Sequence, residues 1–449
     1  MSNENTIKYE EMINRNQVEL FPDRTDVDED GVLRFCTAST VELAEAYGTP
    51  LLLFDQDQLR KNYRHMEAAF KKYYPKVQIC FAYKSNNLMG IIKTFCEEGA
   101  YADVVSRGEF YKAEAAGVDP SHIVMNGNNK SDEELMNGIE KGALFNVDSF
   151  DELKSIDRFA ADMGKKARVC IRVNPDISTD IIAEFSTALK KSKFGIEMDN
   201  GDAFAAFQFA KESPNCKVEG IHSHLGSQIE DSRFYIRSTE KIMDFCGRLK
   251  KELDLDLDCI NMGGGFAVPF EYLDEVDDVE KFAKIIGGML LEKAEEYGLA
   301  LPTIMVEPGG SLVGNTAITL CRVGGIKDKE DRKLAALDAG GDLLLRATQG
   351  WYTYRAVCAN KMNEPADGLY DLVGPLCYEG DICAHNRRMP ALCKGDLIAF
   401  LDTGAYVTTL MNQYNGRLSP QVLLLDESGK ISTIRKRDRL EDLVRNEIF

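Results

Sequence analysis

A lysine at the end of an apolar run is the first residue of this sequence that could do chemistry. Lys84 closes the run QICFAYK and is followed by Ser-Asn-Asn. A lysine amine withdrawn from water binds its proton less tightly and becomes a nucleophile, which suits attachment to a carbonyl group. The structural alternative is a lysine at a strand end that only extends its amine to solvent.

Two glycine-rich stretches also follow apolar runs, and both could receive an anion. One follows CINM and the other follows IMVEP; their glycines are Gly263, Gly264, Gly265, Gly309 and Gly310. Backbone N–H groups can approach a phosphate closely where no side chain intervenes, and the Ser227 hydroxyl of HLGS could add a donor. The alternative is that these glycines only form turns. Neither stretch matches a Walker loop or a GxGxxG fingerprint.

Carboxylate, imidazole and thiol groups stand at comparable places. Glu307 ends the run TIMVE, where it could pair with a protonated ring nitrogen of a cofactor or only hold backbone amides. His222 and His224 lie two residues apart, so a strand would point both to one face. They could bind metal, contact an aromatic cofactor or be satisfied core residues, and no third metal ligand is evident. Cys377 is followed by acidic residues that disfavour its thiolate but leave it a proton donor.

These side chains need elements that bring their strand ends together. Between residues 51 and 310 the chain alternates short β-branched or aromatic runs with amphipathic stretches. The runs predicted as strands are 77–84, 101–106, 122–127, 144–149, 167–175, 218–227, 259–265 and 303–309. Such a series of strand–helix units predicts an α/β fold with a parallel (β/α)8 barrel. Its functional residues gather at the carboxyl ends of the strands.

The segments on either side of residues 51–310 differ from them in composition and in hydrophobic pattern. Residues 311–449 are rich in glycine, aspartate and short apolar runs separated by turn signals, which predicts a mostly antiparallel β domain. Residues 1–50 are predicted to form an N-terminal arm, with strands that join this domain. A less favoured alternative is two separate α/β domains.

Composition excludes several classes of partner. The net charge of −19 and the pI near 4.9 argue against nucleic acid and anionic membranes. No apolar run is long enough for a membrane span, and the N-terminal residues are polar, so we expect a cytoplasmic protein. The 12 cysteines are scattered without a CxxC pair and are expected to be buried free thiols. No metal site is predicted.

The order of the motifs resembles that of the fold-type III pyridoxal-phosphate decarboxylases. After the strand-end lysine come D-x-x-S-x-G-E, N-P-D, S-K-F-G, H-x-G-S, G-G-G-F, E-P-G, G-P-x-C and G-A-Y. The similarity is greatest to the diaminopimelate decarboxylase and D-ornithine/D-lysine decarboxylase family, from about residue 35 onward. This resemblance implies an alanine-racemase-like barrel plus a β domain, with pyridoxal 5′-phosphate as cofactor. It also implies an amino-acid substrate and a head-to-tail homodimer with shared active sites.

Carried over by motif, the resemblance gives most candidates a role toward the cofactor. Lys84 would be attached to it, and Asp103 and Glu109 would orient that lysine. Glu307 would keep the pyridine nitrogen protonated, and His224 would stack on the ring. Cys377 would reach into the partner's site and is the first candidate for proton donor. The remaining cofactor contacts would be Arg172, Ser227, Gly263, Gly264, Gly265, Gly309, Gly310 and Tyr406.

Three departures fall where the family would recognise the far end of its substrate. The motif E-P-G-R ends here in Gly310, so its arginine is missing. The motif R-P-x-x-Y keeps its arginine but has Gly350 in place of tyrosine, and C-E-S-G-D reads C-Y-E-G-D at 377–381. Loss of charge partners should change substrate discrimination. The substrate contacts predicted to remain are Arg346, Tyr378 and Glu379.

The resemblance leaves the substrate open. The first expectation is decarboxylation of a diamino acid, as in the conversion of meso-diaminopimelate to L-lysine, with a substrate that can differ from diaminopimelate. Alternatives are a D-ornithine/D-lysine-type or another specialised amino-acid decarboxylase, and a non-catalytic regulatory homologue. An amino-acid racemase on the same fold is disfavoured by the G-P-x-C and S-K-F-G motifs.

Overall fold

The computed structural model describes residues 24–177, 186–268, 276–330 and 332–448. Residues 1–23 of the predicted N-terminal segment therefore lie outside the described residues. The described residues form two compact units, one of residues 60–268 and 276–312 and the other of residues 24–59 and the described part of 313–448. No helix among the described residues is long and apolar enough to cross a membrane.

Eight parallel strands form a closed barrel in the first unit. They are Val77–Ala82, Tyr101–Val104, Ile123–Met125, Leu144–Val147, Ala167–Asn174, Cys216–His222, Cys259–Asn261 and Thr303–Val306. Each strand pairs with the next, and the last pairs with the first, which closes the barrel. The short strand Ile196–Glu197 adds to the fifth strand. The predicted barrel is thus confirmed, with most strands ending two or three residues earlier than predicted.

Amphipathic helices alternate with these strands. They are Gln56–Tyr73, Met89–Glu97, Arg107–Ala116, Asp132–Lys141, Phe150–Asp162, Asp202–Glu212, Phe234–Leu253 and Val279–Tyr297. The helix Asp132–Lys141 shows why they begin and end where they do. Ser131 and Glu134 form a reciprocal capping box at its start, and Gly142, with φ of 76°, closes it in the left-handed conformation.

The second unit is built on a mixed, mostly antiparallel sheet, as predicted. Its strands are Leu51–Asp55, Ala317–Asp328, Lys333–Leu337, Ala356–Cys358, Gly368–Val373, Ile382–Met389, Leu397–Phe400, Gln421–Leu425 and Ile431–Arg435. A small sheet holds Thr25–Val27, Leu33–Phe35 and Ala38–Ser39, and the helices are Thr40–Tyr47, Leu345–Thr348 and Leu440–Val444. The short helix Gly310–Val313 lies where the chain passes from the first unit into the second.

The strand Leu51–Asp55 changes the predicted division of the chain. It was expected at the start of the barrel, but it pairs antiparallel with Ala317–Asp328 and parallel with Gln421–Leu425. All five of its residues are buried. A short, wholly apolar run such as LLLFD fits any doubly covered strand, so its pattern cannot tell which sheet it joins.

Close packing inside the barrel predicts a sharp sensitivity at one glycine. A Cβ added at Gly220 would lie 2.4 Å from the carbonyl oxygen of Cys259 and 2.9 Å from Cys170 Sγ. We expect Gly220→Ala to cost about 1–3 kcal/mol because backbone atoms must move. Gly288→Ala, in an open helical position with nothing within 4 Å, should be neutral or slightly stabilising. Thermal unfolding of both variants checks this, and equal melting temperatures would contradict the packing described.

Candidate active site

A cavity of about 440 Å³ lies at the carboxyl end of the barrel strands. Its walls combine one carboxylate, two cationic side chains, two imidazoles and several polar groups. The residues that line it are Lys84, Val105, Asn126, Gly127, Asn128, Asn129, Arg172, Thr187, Phe194, His222, His224, Ser227 and Glu307. Six sequence-based candidates are thus brought to the barrel end where functional residues are expected, namely Lys84, Arg172, His222, His224, Ser227 and Glu307.

The Glu307 carboxylate is the centre of the hydrogen bonds beneath this cavity. Its Oε1 accepts from the side-chain amides of Asn126 at 2.8 Å, Asn146 at 3.0 Å and Asn261 at 2.8 Å. Its Oε2 lies 3.1 Å from His222 Nε2. These donors come from four different barrel strands or the residues directly after them. The closed barrel is therefore what collects them around one carboxylate.

This carboxylate is held in its charged form. Burial alone would raise the pKa of Glu307, but interactions with His222, Lys84 and Asn126 outweigh burial and keep that pKa below its usual range. For His222 the dominant influence is burial, which lowers the imidazole pKa. We therefore regard His222 as a neutral ring that donates its Nε2–H to an ionised Glu307.

A second buried carboxylate, Asp103, is joined to the first through an amide. The Asn126 side-chain NH₂ that binds Glu307 also donates to Asp103 Oδ1 at 2.7 Å. Burial and the nearby negative charge of Glu307 raise the pKa of Asp103 to about 7. Its Oδ2 has no hydrogen-bond partner among the described residues and lies 4.0 Å from Lys84 Nζ. A buried carboxyl group with a raised pKa thus faces the strand-end lysine.

Glu109 was predicted to act on the same lysine. It lies in the first turn of the helix Arg107–Ala116, is buried, and accepts the backbone N–H of Val105 at 2.9 Å. Burial raises the pKa of its carboxyl group. Its hydrogen bond is to the loop that carries Val105 into the cavity wall.

Arg172 is fixed from two sides at the cavity wall. Its guanidinium lies over the Phe194 ring, 4.4 Å from the centroid, and its Nη1 is 3.5 Å from Asp148 Oδ1. Asp148 also accepts the backbone N–H of Gly195 at 3.1 Å. The S-K-F-G motif therefore supplies both an aromatic face and a backbone anchor for this buried cation.

The three consecutive glycines are required by close backbone approach. A Cβ at Gly264 would lie 2.0 Å from the Glu307 carbonyl oxygen, and one at Gly265 would lie 2.0 Å from that of Gly226. The Gly264 N–H donates to His224 Nδ1 at 3.0 Å, and this bond orients the imidazole. Burial keeps the pKa of His224 well below its usual value, so the ring is neutral.

The other two predicted glycines, Gly309 and Gly310, differ in how closely the surrounding atoms pack against them. A Cβ at Gly309 would meet Ser85 Cβ at 2.9 Å, whereas one at Gly310 would meet nothing within 4 Å. Gly309 is thus needed for packing. Gly310 stands at a position that could accommodate a larger residue, so its small size is not demanded by the surrounding structure.

The structure places the remaining candidates in the second unit. Arg346 is buried there with its guanidinium 4.3 Å from the Tyr352 ring centroid and 5.0 Å from that of Tyr406. Cys377 and Glu379 are exposed, and the Cys377 N–H donates to Asn415 Oδ1 at 2.8 Å. The predicted substrate contact between them, Tyr378, packs edge-on against Tyr414.

Sequence reasoning missed the three asparagines around Glu307. A usable signal was present, since asparagine is depleted in strands and yet Asn126, Asn146 and Asn261 each lie within or directly after an apolar strand. All three are buried. Buried carboxamides at neighbouring strand ends indicate a shared polar partner because each must be hydrogen-bonded.

Comparison with known proteins agrees with this site. Residues 57–314 match the family model of the pyridoxal-binding domain of pyridoxal-dependent decarboxylases. The chain is 35% identical to the diaminopimelate decarboxylase of Methanothermobacter thermautotrophicus, over 95% of this chain and 98% of that protein. It is 33% identical to the Staphylococcus aureus diaminopimelate decarboxylase, over 94% of this chain and 98% of that protein.

Solved structures give the same result for the fold. The crystal structure of diaminopimelate decarboxylase from M. jannaschii in complex with L-lysine superposes with a TM-score of 0.90 and 32% identity. The match covers 95% of this chain and 98% of that chain. From the extent of these matches and the strand-end site, the chain belongs to the family of pyridoxal-dependent decarboxylases.

Proposed function

We propose that this protein releases CO₂ from a diamino acid of the diaminopimelate type, with pyridoxal 5′-phosphate held at the carboxyl end of the barrel. The observation that carries this proposal is the ionised Glu307, which lies in one cavity wall with Lys84, Arg172 and two neutral imidazoles. A lysine amine, a buried carboxylate and cations for an anionic group are the chemical partners that this cofactor needs.

The residues present fit the cofactor in their chemistry. Lys84 offers the amine for covalent attachment. Asp103 Oδ2, 4.0 Å from its Nζ and without a hydrogen bond among the described residues, is an acceptor or donor for the amine proton. His224 offers an uncharged ring face whose orientation is fixed by Gly264. The proposed phosphate-side and ring contacts are Arg172, Ser227 and the glycine stretch. Tyr406 is a further candidate only because its G-A-Y motif resembles that of the family.

Bound pyridoxal phosphate supplies an electron sink for the electron pair left behind when the substrate carboxylate departs. Glu307 supports that capacity because a negative charge here favours a protonated ring nitrogen. Because His224 is neutral, it does not repel the positive charge of the protonated ring nitrogen. Asp103, whose pKa is raised by burial and by the charge of Glu307, would accept or return a proton at the Lys84 amine.

The proposed substrate rests on the relatives described above, which are diaminopimelate decarboxylases. The crystal structure of one of them contains L-lysine. A second candidate, a D-ornithine/D-lysine-type or another specialised decarboxylase, is favoured by one observation. Gly310, which replaces the arginine of the family motif E-P-G-R, has open space at its Cβ position, so the surrounding structure does not enforce the loss of that cation. One charge partner for a distal carboxylate is therefore missing.

We further propose a head-to-tail homodimer in which Cys377 acts in the partner's site as proton donor. Cys377 is exposed in the single chain. This is expected of a residue that completes the active site of a partner subunit. Arg346, Tyr378 and Glu379 are proposed to recognise the distal end of the substrate. A cytoplasmic location, suggested by unpaired cysteines throughout the chain, belongs to the same proposal.

The direct test of the proposed reaction is CO₂ release from a panel of amino acids with added pyridoxal phosphate. The panel holds meso-diaminopimelate and both enantiomers of lysine, ornithine and arginine, with Lys84→Ala as the inactive control. We expect release from meso-diaminopimelate. Release from a D-amino acid instead would favour the second candidate, and no release from any compound would contradict the proposed activity.

The shared site predicts complementation between two inactive variants. Lys84→Ala and Cys377→Ala chains, co-expressed in equal amounts, should recover roughly a quarter of wild-type activity. The reason is that half of the dimers are mixed and each of those holds one intact site. Each variant expressed alone is the control. Activity no higher than that of the Cys377→Ala chain alone would show that the two residues do not meet across subunits.

The raised pKa of Asp103 predicts a particular dependence of stability on pH. The folded carboxyl group titrates near 7, whereas in the unfolded chain it titrates near about 3.9. Between these values only the folded state binds the proton. Stability therefore falls as pH rises through this window, by at most about 1.4 kcal/mol per unit.

Asp103→Asn cannot ionise, so its melting temperature should fall less between pH 4.5 and pH 7 than that of the wild type. The matched control is Asp151→Asn, whose carboxylate is 96% exposed and which should follow the wild type. An unchanged pH dependence in Asp103→Asn would show that the Asp103 carboxyl is ionised throughout this range.

A further inference from the structure

The hydrogen-bond donors that surround Glu307 are uncharged. Three are carboxamides, from Asn126, Asn146 and Asn261, and the fourth is an imidazole. We call Asn126, Asn146, Asn261 and His222 the Glu307 donors. Their exposed fractions are 6%, 0%, 0% and 1%, so water does not compete for these bonds. Neutral donors stabilise an ionised carboxylate without cancelling its charge, whereas an arginine or lysine in their place would form an ion pair.

The tautomer of His222 follows from its surroundings. Its Nε2 lies beside Glu307, and its Nδ1 is buried without a hydrogen-bond partner among the described residues. A proton on Nδ1 would therefore be buried with no acceptor, which is costly. The ring must be the neutral form protonated on Nε2, so that it donates to Glu307 and does not become a competing cation.

The donors are distributed unequally over the two carboxylate oxygens. Oε1 accepts three N–H groups, whereas Oε2 accepts only from His222. A carboxylate offers about four acceptor positions, two on each oxygen, so three donors already saturate Oε1 whereas Oε2 has one position left. The capacity that remains is therefore on Oε2, and Glu307 lines the cavity.

We propose that the Glu307 donors are positioning residues that make the site selective for a cationic N–H group, namely the protonated ring nitrogen of the cofactor. The inference rests on the proposed function, because it assigns the partner of Glu307 within that site. It adds that Asn126, Asn146, Asn261 and His222 act on the ring nitrogen through Glu307, whose charge and orientation they set by their hydrogen bonds. Their removal should weaken recognition of the ring nitrogen and leave recognition of the rest of the cofactor unchanged.

The test compares two probes that differ at a single ring atom, pyridoxal phosphate and its analogue with carbon in place of the ring nitrogen. Dissociation constants are measured by absorbance for the full-length wild type and for Asn146→Leu, His222→Leu and His222→Gln. The matched control is Asn174→Leu, since Asn174 is a buried carboxamide at the end of a neighbouring strand that donates instead to the Leu189 carbonyl oxygen.

We expect the wild type to bind pyridoxal phosphate more tightly than the carbon analogue. Asn146→Leu and His222→Leu should each reduce that preference by about tenfold, as expected for the loss of one hydrogen bond to a charged group. His222→Gln, which keeps an N–H donor, and Asn174→Leu should preserve it. Should Asn146→Leu fail to fold, the two His222 variants carry the test.

The ratio separates this role from a merely structural one, because a distorted cavity weakens both probes equally. An unchanged ratio in Asn146→Leu and His222→Leu, with both probes still bound, would overturn the inference and leave the proposed function standing. Equal loss of preference in His222→Leu and His222→Gln would also overturn it. A wild type that binds neither probe would overturn the proposed function, and the inference with it.

Discussion

The arrangement of side chains at the carboxyl end of this barrel depends on one buried negative charge, that of Glu307. An ionised carboxylate away from water is tolerated only if donors replace its hydration, and Glu307 receives N–H groups from the ends of four strands. Strands of an open sheet could not bring these side chains to a single point. Closure of the barrel through the pairing of Thr303–Val306 with Val77–Ala82 is therefore a condition of the site as well as of the fold.

The same constraint reaches the surrounding loops. Asn261, which donates to Glu307, also accepts the N–H of Gly263, and Gly264 packs so closely on the Glu307 backbone that no side chain fits. Gly264 in turn donates to His224. Through Asn126 the same network reaches Asp103, which faces Lys84. Groups predicted to have separate roles are thus parts of one connected arrangement, in which a change at one member alters the charge or orientation of the others.

Much of the fold was predictable because its signals are local. Eight short apolar runs separated by amphipathic stretches indicate a parallel barrel, and strand ends such as Lys84 and Glu307 are visible in the sequence. The partnership of Leu51–Asp55 was not predictable, since a five-residue apolar run carries no information on which sheet it joins. The asparagines were missed for a related reason. Their importance comes from a shared partner far away in sequence, and only the closed barrel shows that Asn126, Asn146 and Asn261 meet at Glu307.

The proposed attachment of pyridoxal phosphate to Lys84 can be tested directly. The most direct measurement is to incubate the protein with pyridoxal phosphate, reduce the covalent link with borohydride, digest the product and locate the modified lysine by mass spectrometry. We expect one modified peptide, the one that contains Lys84 within FAYKSNN. Modification of a different lysine, or none at all despite saturating cofactor, would contradict it.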